Sequence, residues 1–197
     1  MAEDGPPLAL QVRRKDFVAD DGSRIHVLDD VAFQLPRGSF TCLIGPSGCG
    51  KTTTMRILMG LDDAYEGWID GAFRELRVAA AFQEPRLLPW RTLEQNVRLA
   101  LPRDGEPADV ARALSEVGLE GLGHRYPAQL SLGQARRAAL ARAFAVRPEI
   151  LYLDEPFVSL DEATARRLRE LTLELCRTRP VTVLMVTHNV REAVQLA

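Results

Sequence analysis

A glycine-rich run near residue 50 contains the residues best suited to bind phosphate. It matches the pattern GxxxxGK[ST] and consists of Gly45, Pro46, Ser47, Gly48, Cys49, Gly50, Lys51 and Thr52. The apolar run Phe40–Ile44 before it predicts a buried strand, and residues 53–60 after it predict a helix. At such a turn, glycines let backbone N–H groups point at phosphate oxygens, and the helix N-terminus adds partial positive charge. The run therefore predicts a nucleotide-binding loop in which Lys51 reaches the β- and γ-phosphates and the Thr52 hydroxyl binds Mg²⁺.

A second apolar run, Ile150–Asp154, ends in two adjacent carboxylates, Asp154 and Glu155. Four apolar residues and an aspartate predict a buried strand that delivers a carboxylate at its carboxyl end. Asp154 suits Mg²⁺ binding, and Glu155 suits orienting, or accepting a proton from, the water that attacks the γ-phosphorus. Adjacent carboxylates also begin ordinary loops, but a position 103 residues after Lys51 favours the catalytic interpretation.

Three further elements carry polar groups that suit a phosphate site. Residues 130–134 precede a predicted helix, where Ser131 and the Gly133 N–H are placed to bind a second phosphate group. By itself this pattern also fits an ordinary helix capped by serine. Residues 159–161 follow the carboxylate strand closely, and His188 follows the last apolar strand. A lone histidine is more often structural, but the strand before His188 aims it at the γ-phosphate.

Apolar runs and helical periodicity alternate along the chain. Strands are predicted at 8–12, 25–35, 40–44, 78–82, 150–154 and 181–186, and helices at 53–60, 92–100, 110–117, 134–146 and 162–177. This alternation predicts an α/β fold with a mainly parallel sheet. We expect a single domain over 1–197, with its core at about 1–84 and 148–197. The helical block at about 85–147 is predicted to be an inserted subdomain.

The composition narrows the class of protein. The chain has 197 residues and a net charge of −2 without a basic block, so we expect no nucleic-acid partner. Its three cysteines, an odd number, favour reduced thiols in a cytoplasmic protein. Residues 1–7 lack the features of a secretory signal, and no stretch reaches the roughly 18 apolar residues of a membrane span. Any membrane attachment is therefore expected to come from another chain.

Together these motifs, in this order, resemble the ABC transporter ATPase family over nearly the whole chain. The resemblance implies a P-loop NTPase fold with a RecA-like core, a small antiparallel β edge and a helical subdomain, with ATP and Mg²⁺ as cofactors. It assigns Gln83 to Mg²⁺ and the attacking water, and Phe17 to stacking on adenine. It further implies a head-to-tail dimer in which one subunit's residues cap the ATP on the other's phosphate loop. The implied nucleotide contacts beyond residues 45–52 are Thr53, Ser131, Gly133, Gln134 and Asp161.

Residues 83–92, which read QEPRLLPWRT, indicate a docking surface. In the family this region binds a coupling helix of the membrane subunit, so permease subunits are expected to dock near 83–90. The sequence of this segment resembles that of importers of the nitrate, sulfonate and taurine type. The resemblance implies a small anionic solute and, indirectly, a solute-binding protein. The expected location is the inner face of the cell membrane, held there by the permease subunits.

Other functions remain open at this point. A soluble ABC ATPase of DNA repair or translation usually carries coiled-coil insertions, basic arms or tandem ATPase units, and this chain has none. A small-molecule P-loop kinase has no use for Ser131 or His188. An ATP-binding but inactive ABC subunit stays possible because Leu132 stands where the family has glycine, although Lys51 and Glu155 argue against it.

Overall fold

The computed structural model describes residues 6–102 and 105–197, and residues 1–5, part of the segment without a secretory signal, lie outside it. In chain order the elements are β1 (Leu8–Val18), β2 (Arg24–Leu35), β3 (Phe40–Ile44), α1 (Lys51–Leu58), β4 (Glu66–Ile69), α2 (Ala72–Glu75), β5 (Val78–Ala81), α3 (Leu93–Arg98), α4 (Pro107–Glu116), α5 (Leu132–Ala145), β6 (Ile150–Asp154), α6 (Glu162–Arg177), β7 (Thr182–Thr187) and α7 (Val190–Leu196). A single 3₁₀ turn covers Pro127–Gln129. Every strand and helix predicted above is present, with ends shifted by up to three residues, except that β1 runs six residues beyond the predicted end at residue 12.

Four strands form a parallel sheet in the order β3-β7-β6-β5. Its carboxyl ends lie at one edge, because Ile44 pairs with Thr187, Asp154 with Val186, and β5 runs parallel to β6. The prediction that β3 is buried was wrong: it is half-buried and Ile44 is 44% exposed, because within the described residues β3 is an edge strand paired with β7 alone. The parallel core itself is confirmed.

The two faces of the parallel sheet bury separate apolar clusters. Side chains of a strand alternate between faces, so Ile150 and Tyr152 pack with α1 and the antiparallel sheet. Leu151 and Leu153 pack instead with the helices α3 to α6. Because both faces are covered, β6 is a continuous apolar run rather than an alternating one, which is why it was recognisable in the sequence.

A second, antiparallel sheet has the order β2-β1-β4, which confirms the antiparallel β edge. Its main pair is long, running from Leu8 opposite Leu35 to Val18 opposite Arg24. The pairing of β1 shifts twice, against β4 between Val12 and Arg14 and against β2 after Lys15. Such bulges re-aim the side chains that follow.

The helices between β5 and β6 form a consecutive block, as predicted for residues 85–147. Capping boxes fix two of their starts, one formed by Thr92 and Gln95 and the other by Ser131 and Gln134. The apolar cluster of this block continues into the parallel sheet. Its standing as a separate subdomain stays a prediction.

The sequence analysis missed three short elements, β4, α2 and α7. In β4 the side chains do not alternate in burial, so no period-2 signal exists. Gly67 is required there, because a Cβ would lie 2.1 Å from the Gln11 carbonyl oxygen of β1. Within residues 6–102 and 105–197, no helix combines the length and apolarity needed to cross a membrane.

Candidate functional site

The phosphate loop joins β3 to α1, as the sequence predicts. Its two central glycines, Gly48 and Gly50, have φ of +83° and +92°, a region that other residues adopt only with strain. Gly50 is the N-cap of α1 and supplies no side-chain hydrogen bond to the helix. The helix begins at Lys51 rather than Thr53, so Lys51–Thr53 form its first turn. The N–H groups of that turn have no partner within the helix, which makes it a ready anion site.

Gly50 also sets how closely the loop approaches the antiparallel sheet. A Cβ at this position would lie 2.3 Å from Leu28 Cδ2 and 3.0 Å from the Val27 carbonyl oxygen, both on β2. The loop therefore lies against β2 at the place where the pairing of β1 and β2 shifts. A side chain here would displace Leu28 and press on the Val27 carbonyl, in addition to the strain of its positive φ.

The Lys51 ammonium lies against the loop itself. It donates to the carbonyl oxygens of Gly45 at 2.8 Å and Pro46 at 2.7 Å, and Lys51 is only 7% exposed. Cys49 Sγ is 3.9 Å from the same nitrogen. The loop thus places one cation beside the unpaired N–H groups of α1, and both attract phosphate.

Thr52 and Asp154, separated by 102 positions, meet at this edge. Thr52 Oγ1 donates to Asp154 Oδ1 at 3.2 Å and to Oδ2 at 3.4 Å. Burial raises the pKa of Asp154 above its ordinary value of 3.8, and the Glu155 charge raises it further. Hydroxyl and carboxylate oxygens are the ligands Mg²⁺ takes in phosphate sites, and the partly buried carboxylate has no cationic hydrogen-bond partner among the described residues. These residues therefore fit a magnesium ion bound together with phosphate.

Glu155 and His188 form the second pair at the sheet edge. His188 Nδ1 lies 3.1 Å from Glu155 Oε2, with the glutamate side chain 18% and the histidine side chain 48% exposed. Glu155 has φ of +45°, and its N–H donates to the Val186 carbonyl at 2.9 Å, which fixes this backbone to β7. A non-glycine residue held in this region is typical of functional sites. The Glu155 carboxylate is therefore held by His188 and by its own fixed backbone, and it stays partly exposed to solvent.

Gln83 and Phe17 lie on other elements than the phosphate loop and β6. Gln83 is exposed and follows β5, whose last residue Ala81 pairs with Leu153 of β6, so it lies one strand away from Asp154. Phe17 lies near the end of β1 and is 41% exposed. Both are therefore accessible to a bound ligand.

Residues 131–134 make their contacts with α5 and α6. Ser131 Oγ accepts from the Gln134 N–H at 3.2 Å, and Gln134 Oε1 accepts from the Ser131 N–H at 2.9 Å, which is the ordinary capping arrangement. A Cβ on Gly133 would lie 2.9 Å from Thr164 Cγ2, and the Thr164 N–H donates to Asp161 Oδ1 at 3.0 Å. These residues and Asp161 therefore lie together, and among the hydrogen bonds of the described residues none joins them to the phosphate loop.

Two residues that the sequence analysis missed hold the loop after Gln83. Arg142 of α5 donates to the carbonyls of Pro85 at 3.0 Å and Arg86 at 2.8 Å. Asn96, fully buried in α3, accepts from the Leu88 N–H at 2.7 Å and donates to the Leu88 carbonyl at 3.2 Å. Arg142 could have been noticed in the sequence, because it is a charged residue on an otherwise apolar face of α5. The loop also carries Trp90, which is 70% exposed.

Comparison with known proteins agrees with this geometry. A family model described as ABC transporter matches residues 28–158. The chain is 43% identical over 197 residues to the aliphatic sulfonates import ATP-binding protein SsuB 2 of Burkholderia cenocepacia, covering 97% of the chain and 71% of that protein. It is 45% identical to SsuB 1 of Pseudomonas aeruginosa, with 87% and 73% covered.

Solved structures give the same result. The chain superimposes with a TM-score of 0.81 and 28% identity on a dimeric post-hydrolysis state of the ATP-binding cassette MJ0796 bound to ADP and Pi, covering 94% of this chain and 90% of that one. The predicted fold class and resemblance are confirmed. On its motifs, its fold and these relatives, the chain belongs to the ABC transporter family as an ATPase.

Proposed function

We propose that the chain powers an importer of aliphatic sulfonates by binding and hydrolysing ATP. The observation that carries the proposal is the meeting of three groups at one sheet edge: the Lys51 loop, the Thr52–Asp154 pair and the Glu155–His188 pair. The solute class is supported by the relatives, which are named for aliphatic sulfonate import. These relatives favour transport over the soluble ABC ATPase alternative.

Phosphate binding follows from the loop and helix α1. The Lys51 ammonium exchanges its contacts with the Gly45 and Pro46 carbonyls for phosphate oxygens, while the first N–H groups of α1 bind the same phosphates. Because the ammonium is already at the loop, the exchange needs only a change of side-chain rotamer. Phe17 stacks on the adenine, and Thr53 lies in the first turn of α1 beside the phosphates.

Thr52 and Asp154 would hold Mg²⁺, with Gln83 as a further ligand. The ion neutralises charge on the phosphate oxygens when bound. A cation beside Asp154 would also offset the desolvation cost of this partly buried carboxylate. Because the same cation would contact the phosphate oxygens, we expect nucleotide and metal to bind more favourably together than apart. A site of one carboxylate, one hydroxyl and phosphate oxygens matches how Mg²⁺ is usually bound.

Glu155 acts on the attacking water. Its carboxylate accepts a hydrogen bond from the water and orients it toward the γ-phosphorus, and the strained backbone holds the group in place. His188 donates to Glu155 Oε2 when Nδ1 carries the proton, which fixes the carboxylate orientation. His188 thus connects β7 to the carboxylate that follows β6.

Two copies of the chain complete each site. Among the described residues, Ser131, Gly133 and Gln134 make no hydrogen bond to their own phosphate loop, and we propose that they cap the ATP bound by a second copy, with Asp161 beside them. The dimeric arrangement of the structural neighbour supports this. The exposed Trp90 region docks permease subunits, which would hold the chain at the inner face of the membrane and couple it to a solute-binding protein.

The test is the rate of Mg-ATP hydrolysis as a function of protein concentration. We expect a rate that rises faster than in proportion to concentration and that falls about 10²- to 10⁴-fold in Glu155→Gln, while ATP binding is kept. Glu170→Gln, which changes an exposed carboxylate on α6, is the matched control and should hydrolyse at the wild-type rate.

Three other outcomes would count against parts of the proposal. ATP binding without turnover at any concentration, even with permease present, would support the inactive subunit. Unchanged nucleotide affinity in Lys51→Ala would contradict the phosphate-loop assignment. Uptake of a labelled alkanesulfonate by cells with and without the gene tests the solute class, and equal uptake would refute it.

A further inference from the structure

Lys15 of β1 is a buried cation that the proposed chemistry does not use. It is 3% exposed, its Nζ lies 2.6 Å from Asp62 Oδ1, and it donates to the Ala64 carbonyl at 2.8 Å. Asp62 Oδ1 also accepts from the Ala64 N–H at 3.2 Å, and the Asp62 side chain is only 10% exposed. Lys15 therefore ties β1 to the segment that follows α1, the helix of the phosphate loop.

The same ammonium lies over an aromatic ring. Lys15 Nζ is 4.5 Å from the centroid of the Phe17 ring, which is within the range of a cation–π contact. Phe17 remains 41% exposed, so the ring is held by Lys15 and still presents surface to solvent. The Phe17 ring has no hydroxyl that could anchor it by a hydrogen bond. The contact with the Lys15 ammonium holds the ring in place instead.

Lys15 and Phe17 lie on one face of β1, because side chains two residues apart in a strand point to the same side. Leu8, Leu10 and Val12 point into the core, and one extra residue before Arg14 in the pairing with β4 moves the next buried position of β1 to Lys15. The second shift follows Lys15, next to the part of β2 that contacts Gly50 of the phosphate loop. Lys15 thus pairs with Leu28, whose side chain lies against Gly50, so the Lys15–Phe17 pair stands on the strand beside the segment of β2 that contacts the phosphate loop.

We propose that Lys15, held by Asp62, is a positioning residue for adenine recognition: it fixes the Phe17 ring relative to the phosphate loop, so that the open face of the ring is preorganised to stack on the base. The inference rests on the proposed adenine contact of Phe17. It goes beyond that contact by assigning the ion pair, and with it the loop after α1, to nucleotide affinity. Preorganisation lowers the ordering cost of binding and therefore acts on affinity rather than on the chemical step.

The test compares ATP with tripolyphosphate, which has the phosphates but no base. Removing Lys15 alone strands the Asp62 carboxylate, so the variant is Lys15→Met with Asp62→Asn, where the amide oxygen still accepts from Ala64. We expect ATP affinity, measured by calorimetry, to fall about two- to tenfold. Tripolyphosphate affinity should stay unchanged, and the loss should vanish when Phe17→Ala is already present.

A matched control exists far from the nucleotide. Arg179 lies 2.6 Å from Glu116 and 5.2 Å over the Phe144 ring, so Arg179→Met with Glu116→Gln removes the same kind of contact. This variant should leave both affinities at the wild-type value. It separates loss of an ion pair in general from loss of the Lys15 pair.

Each other result overturns the proposal in a different way. If Phe17→Ala leaves ATP affinity unchanged, the adenine contact itself fails. If Phe17→Ala weakens ATP but the Lys15 variant does not, Lys15 has no positioning role. If the Lys15 variant weakens tripolyphosphate as much as ATP, the pair is merely structural. Failure of wild-type protein to bind ATP would instead refute the proposed function.

Discussion

The close approach of Gly50 to β2 gives a quantitative prediction for the stability of the Gly50→Ala variant. The new Cβ would lie 2.3 Å from Leu28 Cδ2 and 3.0 Å from the Val27 carbonyl oxygen, at φ of +92°. Holding a non-glycine residue in left-handed backbone costs about 1–2 kcal/mol, and forcing a methyl into packed space costs about 1–3 kcal/mol more. We therefore expect the free energy of unfolding to fall by about 2–5 kcal/mol.

Gly48→Ala is the matched comparison, because its φ of +83° is similar but no atom lies within 4 Å of the added Cβ. It should cost only the backbone strain, about 1–2 kcal/mol. Gly22→Ala, with φ of +80° and open space, repeats that strain outside the site. The assay is urea denaturation of the nucleotide-free chain. Equal losses for Gly50→Ala and Gly48→Ala would refute the claim that close contact with β2 requires the glycine.

Three further predictions follow from burial. Asp154→Asn should raise the Tm of the nucleotide-free chain by a few degrees while abolishing hydrolysis, because burial and Glu155 raise the pKa of this carboxyl and its ionised form destabilises the fold at neutral pH; a lower Tm would contradict this. Iodoacetamide at pH 8 should modify the exposed Cys49 first and be slowed by ATP. Cys176 should stay unmodified, because burial raises its pKa to about 12 and leaves roughly one thiolate in ten thousand; mass spectrometry of the two peptides decides the order. Asn96→Ala should lower the free energy of unfolding by about 2–4 kcal/mol, since it leaves buried loop groups without partners, and urea denaturation that shows a loss below 1 kcal/mol would be inconsistent with that role.

The parts of the site that are contiguous in sequence could be predicted from the sequence alone. The phosphate loop has its determinants within a few residues, since glycine conformation, the start of α1 and the lysine are all local. The strand before Asp154 was recognisable because a strand covered on both faces is apolar throughout. Ser131 was correctly expected at a helix N-cap for the same reason, because capping depends on residues three positions apart.

Contacts between distant segments needed the tertiary structure. The motifs assigned both Thr52 and Asp154 to Mg²⁺, but their hydrogen bond, like the contact of Lys15 with Asp62, depends on strand order and on the bulge in β1. The edge position of β3 likewise depends on which strands lie beside it, and its apolar sequence alone suggested burial. Local conformation is determined by neighbours along the chain, whereas sheet order, register and buried ion pairs are determined by packing between segments far apart in sequence.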